Sequence, residues 1–168
     1  ENEFFYYEDK VGTIKLPYPN VNGQFQLENI STAIATLRSI KDLKIEEESI
    51  KSGITHISSI ARLQEITEGK LKNLVKNNRL LVDGSHNPLG AKVLNEYLES
   101  LNCNKHIILG MMANKNHQEY VDYFKNITTF TTIDIPNQQN SIKGNDLKNS
   151  LKIHGNIRYK ESITEAIK

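Results

Sequence analysis

A single cysteine in the chain, Cys103, leaves no partner for an intramolecular disulfide and no CxxC pair for zinc, which excludes a disulfide-stapled scaffold and a thiolate metal site. Long apolar runs are missing too. Stretches such as Ile107-Ile108-Leu109 fall far short of the ~20 residues that a membrane-spanning helix needs, so no membrane partner is expected. Neither sign of charge is in excess: 21 Lys plus Arg against 20 Asp plus Glu leave a formal net charge of +1, without the basic surplus of a nucleic-acid binder. The five histidines, at 56, 86, 106, 117 and 154, never fall at the i, i+4 spacing of a helical metal site. Neither G-x-G-x-x-G nor G-x-x-x-x-G-K-[ST] occurs, so the chain has no loop of its own to cradle a triphosphate. No charged-then-apolar leader is recognisable, and a cytoplasmic location is the expectation.

What is present is a globular composition, 38% hydrophobic and 24% charged, over 168 residues, enough for roughly one domain and a fraction. The sequence opens at Glu1 without Met and stops at Ile167-Lys168, inside a helical pattern beginning near Ser162. Both ends read as cut from a longer protein.

Two patterns divide the chain. Residues 11 to 16 alternate like a half-buried strand that Pro17 and Pro19 end, and a turn follows at Asn20 to Gly23. Ile30, Ala33, Ile34, Leu37 and Ile40 then trace one helical face, predicting a helix over Glu28 to Ile40, with a second over Glu46 to Ile54. Beyond Ile57 to Ala61, where the boundary is placed, apolar runs at Leu80 to Val82, Ile107 to Leu109 and Phe130 to Ile135 alternate with helical stretches at Leu89 to Leu101, His117 to Asn126 and Lys143 to Lys152. Runs of this kind read as strands of a mostly parallel, Rossmann-like α/β sheet buried on both faces. Val93, Leu94, Tyr97, Leu98 and Leu101 supply the stripe by which the first of these helices packs on it.

In an open parallel sheet, ligands collect beyond the carboxyl ends of strands, near helix N-termini. Asp83-Gly84-Ser85-His86-Asn87-Pro88 occupies such a place. A carboxylate at Asp83 can accept both hydroxyls of a ribose, and His86 can meet an acid or a reacting amine. The alternative is that Asp83 and Asn87 cap a helix and His86 is solvated. Arg62 offers a planar fork of donors suited to phosphate, or is a surface charge. Lys115, in the Gly110 to His117 loop, touches phosphate or is solvated. Gln24-Phe25-Gln26 and Asn29 lead into the first helix as site residues or as turn and cap.

Taken in order, Leu16-Pro17-Tyr18-Pro19, Gly23-Gln24-Phe25-Gln26-Leu27-Glu28-Asn29, Ala61-Arg62-Leu63-Gln64, Asp83-Gly84-Ser85-His86-Asn87-Pro88 and Gly110 with Asn114-Lys115-Asn116 resemble the C-terminal part of the folylpolyglutamate synthase / dihydrofolate synthase family, relatives of the Mur ligases. The resemblance runs over nearly the whole chain, with the Asp83 block and Arg62-Leu63-Gln64 its most specific pieces. It implies that residues 1–58 are the tail of a central ATP-binding domain and 60–168 a Mur-ligase-type C-terminal domain, truncated at its end. The implied activity is ATP-dependent ligation of L-glutamate to dihydropteroate or a folate. ATP phosphorylates the acceptor carboxylate with magnesium neutralising charge, the amine attacks the acyl phosphate, and phosphate leaves. Asn29 then resembles the adenine contact, Arg62 the phosphate contact, Asp83 the ribose contact, and His86 the residue placed toward glutamate, with Asp83, His86 and Arg62 converging on one rim. The phosphate loop, magnesium ligands and most of the pterin pocket belong to the family's N-terminal ATPase domain, so the chain alone is expected to be inactive. Four positions differ from the family: Phe25 stands where many members have His, Ala61 replaces a common Gly, and Asn114 and Asn116 replace frequent Asp. A non-catalytic remnant or a nucleotide-binding α/β module is the rival reading.

Overall fold

The computed structural model describes residues 4–153 and 155–168, so His154 lies outside the described residues. The chain forms two compact units, one ending at Gln64 and the other starting at Glu65.

The first unit opens with β1 (Phe4–Asp9) and β2 (Gly12–Pro17), an antiparallel hairpin in which Tyr7 faces Ile14 and Phe5 faces Leu16. Asp9 Oδ1 accepts a hydrogen bond from Val11 N at 2.8 Å, closing the turn before Gly12, whose φ of 133° suits glycine. One face of the hairpin buries Tyr7, Ile14 and Leu16 against Ile30 and Ile34 of α1 (Phe25–Ser39) and Ile50 and Ile54 of α2 (Glu47–Thr55). Each such aliphatic burial contributes about 1.5–3 kcal/mol. β1 was not anticipated from pattern, because Phe-Phe-Tyr-Tyr shows no apolar–polar alternation. Helix α1 begins one turn before the expected Glu28, since the turn at Gly23 supplies its first acceptors: Gln26 N donates to Gly23 O and Leu27 N to Gln24 O, both at 3.0 Å. Ala33, expected on the apolar face, is exposed; Ile30 and Ile34 are buried on it as expected, and Gln26 joins them.

The second unit is mixed α/β. After β3 (Gln64–Glu65), which straddles the boundary, its elements are α3 (Lys70–Val75), β4 (Leu81–Val82), α4 (Pro88–Glu99), β5 (His106–Leu109), α5 (His117–Asp122), β6 (Thr129–Ile133), α6 (Gly144–Ser150), β7 (Ile157–Lys160) and α7 (Ile163–Ile167). Strands β5, β6 and β7 form a three-stranded parallel sheet in that order. β6 is its centre, with Thr129, Phe130, Thr131 and Thr132 all buried. Around Phe130 gather Leu109, Met111, Tyr120, Val121, Leu147 and Leu151, together with Ala91 from α4.

Two expectations for this unit are corrected. The Leu80 to Val82 run does not join the parallel sheet: β4 pairs with β3, and Val82 is 38% exposed. Only two residues stay extended, because the Asp83 side chain accepts from Ser85 N and turns the chain at once. On α4 the most buried residues are Ala91 and Asn95, while Val93, Leu94, Tyr97 and Leu98, and Leu101 just beyond the helix, are half-buried. Asn95 tolerates burial because its Oδ1 accepts from Lys125 N at 2.9 Å and its Nδ2 donates to Glu99 Oε2 at 3.1 Å.

Candidate functional site

Beyond β4 the chain makes the loop 83–87 and enters α4. Asp83 is half-buried, and its Oδ1 accepts a hydrogen bond from Ser85 N at 2.8 Å. Ser85 is held from two further directions. Its Oγ shares a hydrogen bond of 2.9 Å with Tyr120 Oη, and a Cβ added at Gly90 would stand 2.7 Å from the Ser85 Cβ. Only glycine at position 90 lets the loop lie this close to the helix. Asn87 is the N-cap of α4, its Oδ1 accepting from Gly90 N at 2.8 Å, with Pro88 in the first turn where a missing N–H costs nothing. For Asn87 the capping alternative is therefore what the structure has.

His86 is exposed, with Nδ1 3.2 Å from Gly84 O. With its proton on Nδ1 the ring donates to that carbonyl, and Nε2 is the basic nitrogen. Tyr120, by contrast, is 4% exposed. Burial pushes its phenol above the ordinary 10.0 and the Asp83 charge adds to the rise, while the bond to Ser85 opposes it. Tyr120 is the residue of this loop's surroundings that sequence reasoning missed, since it lies 35 positions from Ser85 and no spacing rule spans that distance.

The loop after β5 is built mainly from backbone bonds. Ala113 N donates to Asn140 O at 2.9 Å, Ile142 N to Met111 O at 3.1 Å, and His117 Nε2 lies 2.9 Å from Met112 O. Asn116 caps α5, accepting from Glu119 N at 3.3 Å and donating to Glu119 Oε2 at 2.6 Å. Lys115 is half-buried between exposed Asn114 and Asn116. At the end of β6, Asp134 repeats the strand-terminal carboxylate of Asp83, but as a brace: Oδ1 accepts from Gly144 N at 2.7 Å and Oδ2 from the Tyr159 hydroxyl at 3.4 Å.

In the first unit, Asn29 is exposed on α1, and its Nδ2 donates to Gln26 Oε1 at 3.1 Å. Gln26 is 7% exposed, and its Nε2 has no hydrogen-bond partner among the described residues. Arg62 is exposed between Ala61 and Leu63, whose φ angles of 53° and 47° lie in the left-handed region. That conformation costs roughly 1–2 kcal/mol for a residue with a Cβ. The Ala61 substitution is thus a strained one, and the loop keeps its form because other contacts impose it. Ala61 N donates to Gln64 Oε1, the Leu63 side chain is buried, and Leu63 O accepts from Asn22 Nδ2, the two bonds being 3.0 Å each. A Cβ at Gly23 would collide with the Phe25 ring and stand 3.0 Å from Leu63 Cδ1. The turn that starts α1 and the loop that carries Arg62 are therefore packed together in this unit. Asp83 and His86 share one loop of the other.

Taken singly, the exposed guanidinium of Arg62 is a fork of donors suited to an anion, the exposed amide of Asn29 can donate and accept, and the half-buried carboxylate of Asp83 can accept from hydroxyls. The described residues contain no group of three His, Cys, Asp or Glu able to hold a metal ion. No helix among them is long and apolar enough to cross a membrane.

No protein-family model and no curated protein matches the sequence. Solved structures do. The structure of E. coli FolC in complex with ADP, without folate substrate, superposes with a TM-score of 0.75 at 24% identity, over 98% of this chain and 39% of that one. Mycobacterium tuberculosis folylpolyglutamate synthase complexed with ADP and AMPPCP gives 0.74 at 14%, over 99% and 40%. A bifunctional folylpolyglutamate synthase/dihydrofolate synthase with Mn, AMPPNP and L-glutamate bound gives 0.72 at 20%, over 99% and 39%. The chain has the fold of the C-terminal part of these enzymes and spans about two-fifths of their length.

Proposed function

We propose that this chain is the C-terminal portion of an ATP-dependent ligase that joins the α-amine of L-glutamate to a carboxylate of dihydropteroate or a folate. The observation that carries the reading is the loop 83–87, with a carboxylate and an imidazole at the mouth of α4, on a fold shared with enzymes solved with ADP or with AMPPNP and L-glutamate.

A free carboxylate is a poor electrophile, so the acceptor is activated by phosphoryl transfer before the amine attacks. In this reading the residues of the chain bind and orient. Asp83 accepts hydrogen bonds from the ribose, Arg62 balances negative charge on the phosphates, Asn29 meets the adenine, and His86 stands toward the incoming glutamate. An upstream ATPase domain of the same protein carries the phosphate loop, the magnesium ligands and most of the pterin pocket, and closure of the domains brings these groups onto the nucleotide. Magnesium, when bound there, supplies charge neutralisation.

The test is glutamate-dependent ADP release, measured for the full-length protein with dihydropteroate and tetrahydrofolate as competing acceptors, and for the 168-residue chain alone. Release is expected from the first and none from the second; turnover by the chain alone overturns the division of labour. Nucleotide binding without turnover in the full-length protein would favour a binding module. Asp83→Ala is expected to raise the KM for ATP, and His86→Ala the KM for glutamate; unchanged kinetics would remove both from the site.

A further inference from the structure

A buried phenol needs a partner for its hydroxyl, and Tyr120 on α5 finds it in Ser85, a residue of another loop. Ser85 carries three constraints at once. Its backbone N–H is committed to Asp83 Oδ1, its Cβ is pressed against the space that Gly90 leaves empty, and its Oγ is tied to Tyr120. Rotation of the loop that pulled Ser85 Oγ away from Tyr120 would also move the N–H that orients the carboxylate. Tyr120 and Val121 of α5, with Phe124 just beyond the helix, pack into the core of the sheet, so the anchor at the far end of this link is buried. His86, one residue on, contacts the carbonyl of Gly84.

We propose that Tyr120 is a positioning residue: acting through Ser85, it holds the Asp83 carboxylate in the orientation that accepts the hydroxyls of a nucleotide ribose. This rests on the functional reading above and adds to it a residue outside every motif of the loop. The proximity of the Asp83 charge to the phenol, felt as an upward push on its titration, fits the same arrangement.

The experiment compares kcat/KM for ATP with that for 2′,3′-dideoxy-ATP in the full-length protein. Loss of hydrogen bonds to a carboxylate predicts that the wild type prefers ATP by about tenfold or more. Tyr120→Phe and Ser85→Ala are each expected to reduce that preference by about three- to tenfold, and the double variant no further than the stronger single one, because both cut one link. If Tyr120→Phe does not fold, Ser85→Ala on its half-buried loop carries the same test. A purely structural role would shift the denaturation midpoint and leave the ratio unchanged, and that result overturns the proposal. A wild type that uses both nucleotides equally overturns the assignment of Asp83 to the ribose and the proposal with it. A wild type without ATP-dependent ligation overturns the functional reading itself.

Discussion

In the first unit the Asn29 side chain is tied to a neighbour on its own helix, whereas in the second the Asp83 carboxylate ends a chain of bonds that reaches the buried Tyr120 of another element. Asn29 reaches only three residues back, to Gln26, and Arg62 stands exposed on a loop whose shape is imposed at its neighbours by Asn22, Gln64 and the buried Leu63. Asp83 is instead oriented within a chain of bonds running from its carboxylate through Ser85 to Tyr120. Groups of the first kind keep freedom to adapt to a ligand, and groups of the second are oriented before one arrives. Removing a single polar atom should therefore matter more in the second unit, and backbone changes should be tolerated better in parts of the first.

The largest effect is expected at Gly144. A Cβ there would stand 2.6 Å from Ile133 C, 2.9 Å from Ile133 O and 2.7 Å from Tyr159 Cε2, so main chain would have to move. Gly144→Ala should cost about 3 kcal/mol, read from the urea midpoint. Gly90→Ala presses on Ser85 rather than on backbone of the sheet, and a loss of about 2 kcal/mol is expected together with a raised KM for ATP. A loss of stability at normal KM would separate the loop's packing from its role in binding.

The first unit offers gains instead. Gln26→Leu removes a buried amide nitrogen that has no partner among the described residues, and a stabilisation of about 1 kcal/mol should accompany release of the Asn29 amide. A destabilised variant would mean that the amide is satisfied. Gly53, inside α2, has nothing within 4 Å of its missing Cβ, so Gly53→Ala should stabilise by about 0.5–1 kcal/mol in the same assay.

The smallest effect is expected from acid. Arg79 holds Glu65 in a salt bridge at 2.7 Å, and its hydrogen bonds lower the Glu65 pKa below the ordinary 4.5. The folded chain thus binds this proton less readily than the unfolded chain, so the stabilisation is present above about pH 4.5 and fades as the pH falls through the lowered folded value. The pair is about a third to a half exposed, so screening keeps its contribution small. Arg79→Leu should flatten the loss of denaturation midpoint below about pH 4.5; an identical slope would show that Glu65 is not its source.

Much of the fold was legible. The Ile30–Ile34 and Ile50–Ile54 spacings located α1 and α2, and the apolar runs at Ile107 and Phe130 located β5 and β6. The helix expected from Ser162 does start there, with Ser162 Oγ accepting from Glu165 N at 3.3 Å. Three short elements were not legible: β3, α3 and β7 are two, six and four residues long and contain no continuous apolar run to mark them. In the candidate site, the sequence singled out Asp83 and His86 by their place at a strand end. It carried no sign of Tyr120, or of the reason Gly90 and Gly144 must be glycine.

Helical faces, caps and strand runs follow from groups within about four residues of one another, and local chemistry decides them. By itself the amino-acid order therefore determined where α1, α2, β5 and β6 form and which polar residues stand at the strand ends. The pairing of β4 with β3 and the tie from Ser85 to Tyr120 were decided only in the tertiary structure. So was the burial of Asn95 against Lys125 N. These contacts join groups far apart in the chain, and a buried donor or acceptor takes whichever partner the packed core brings within reach.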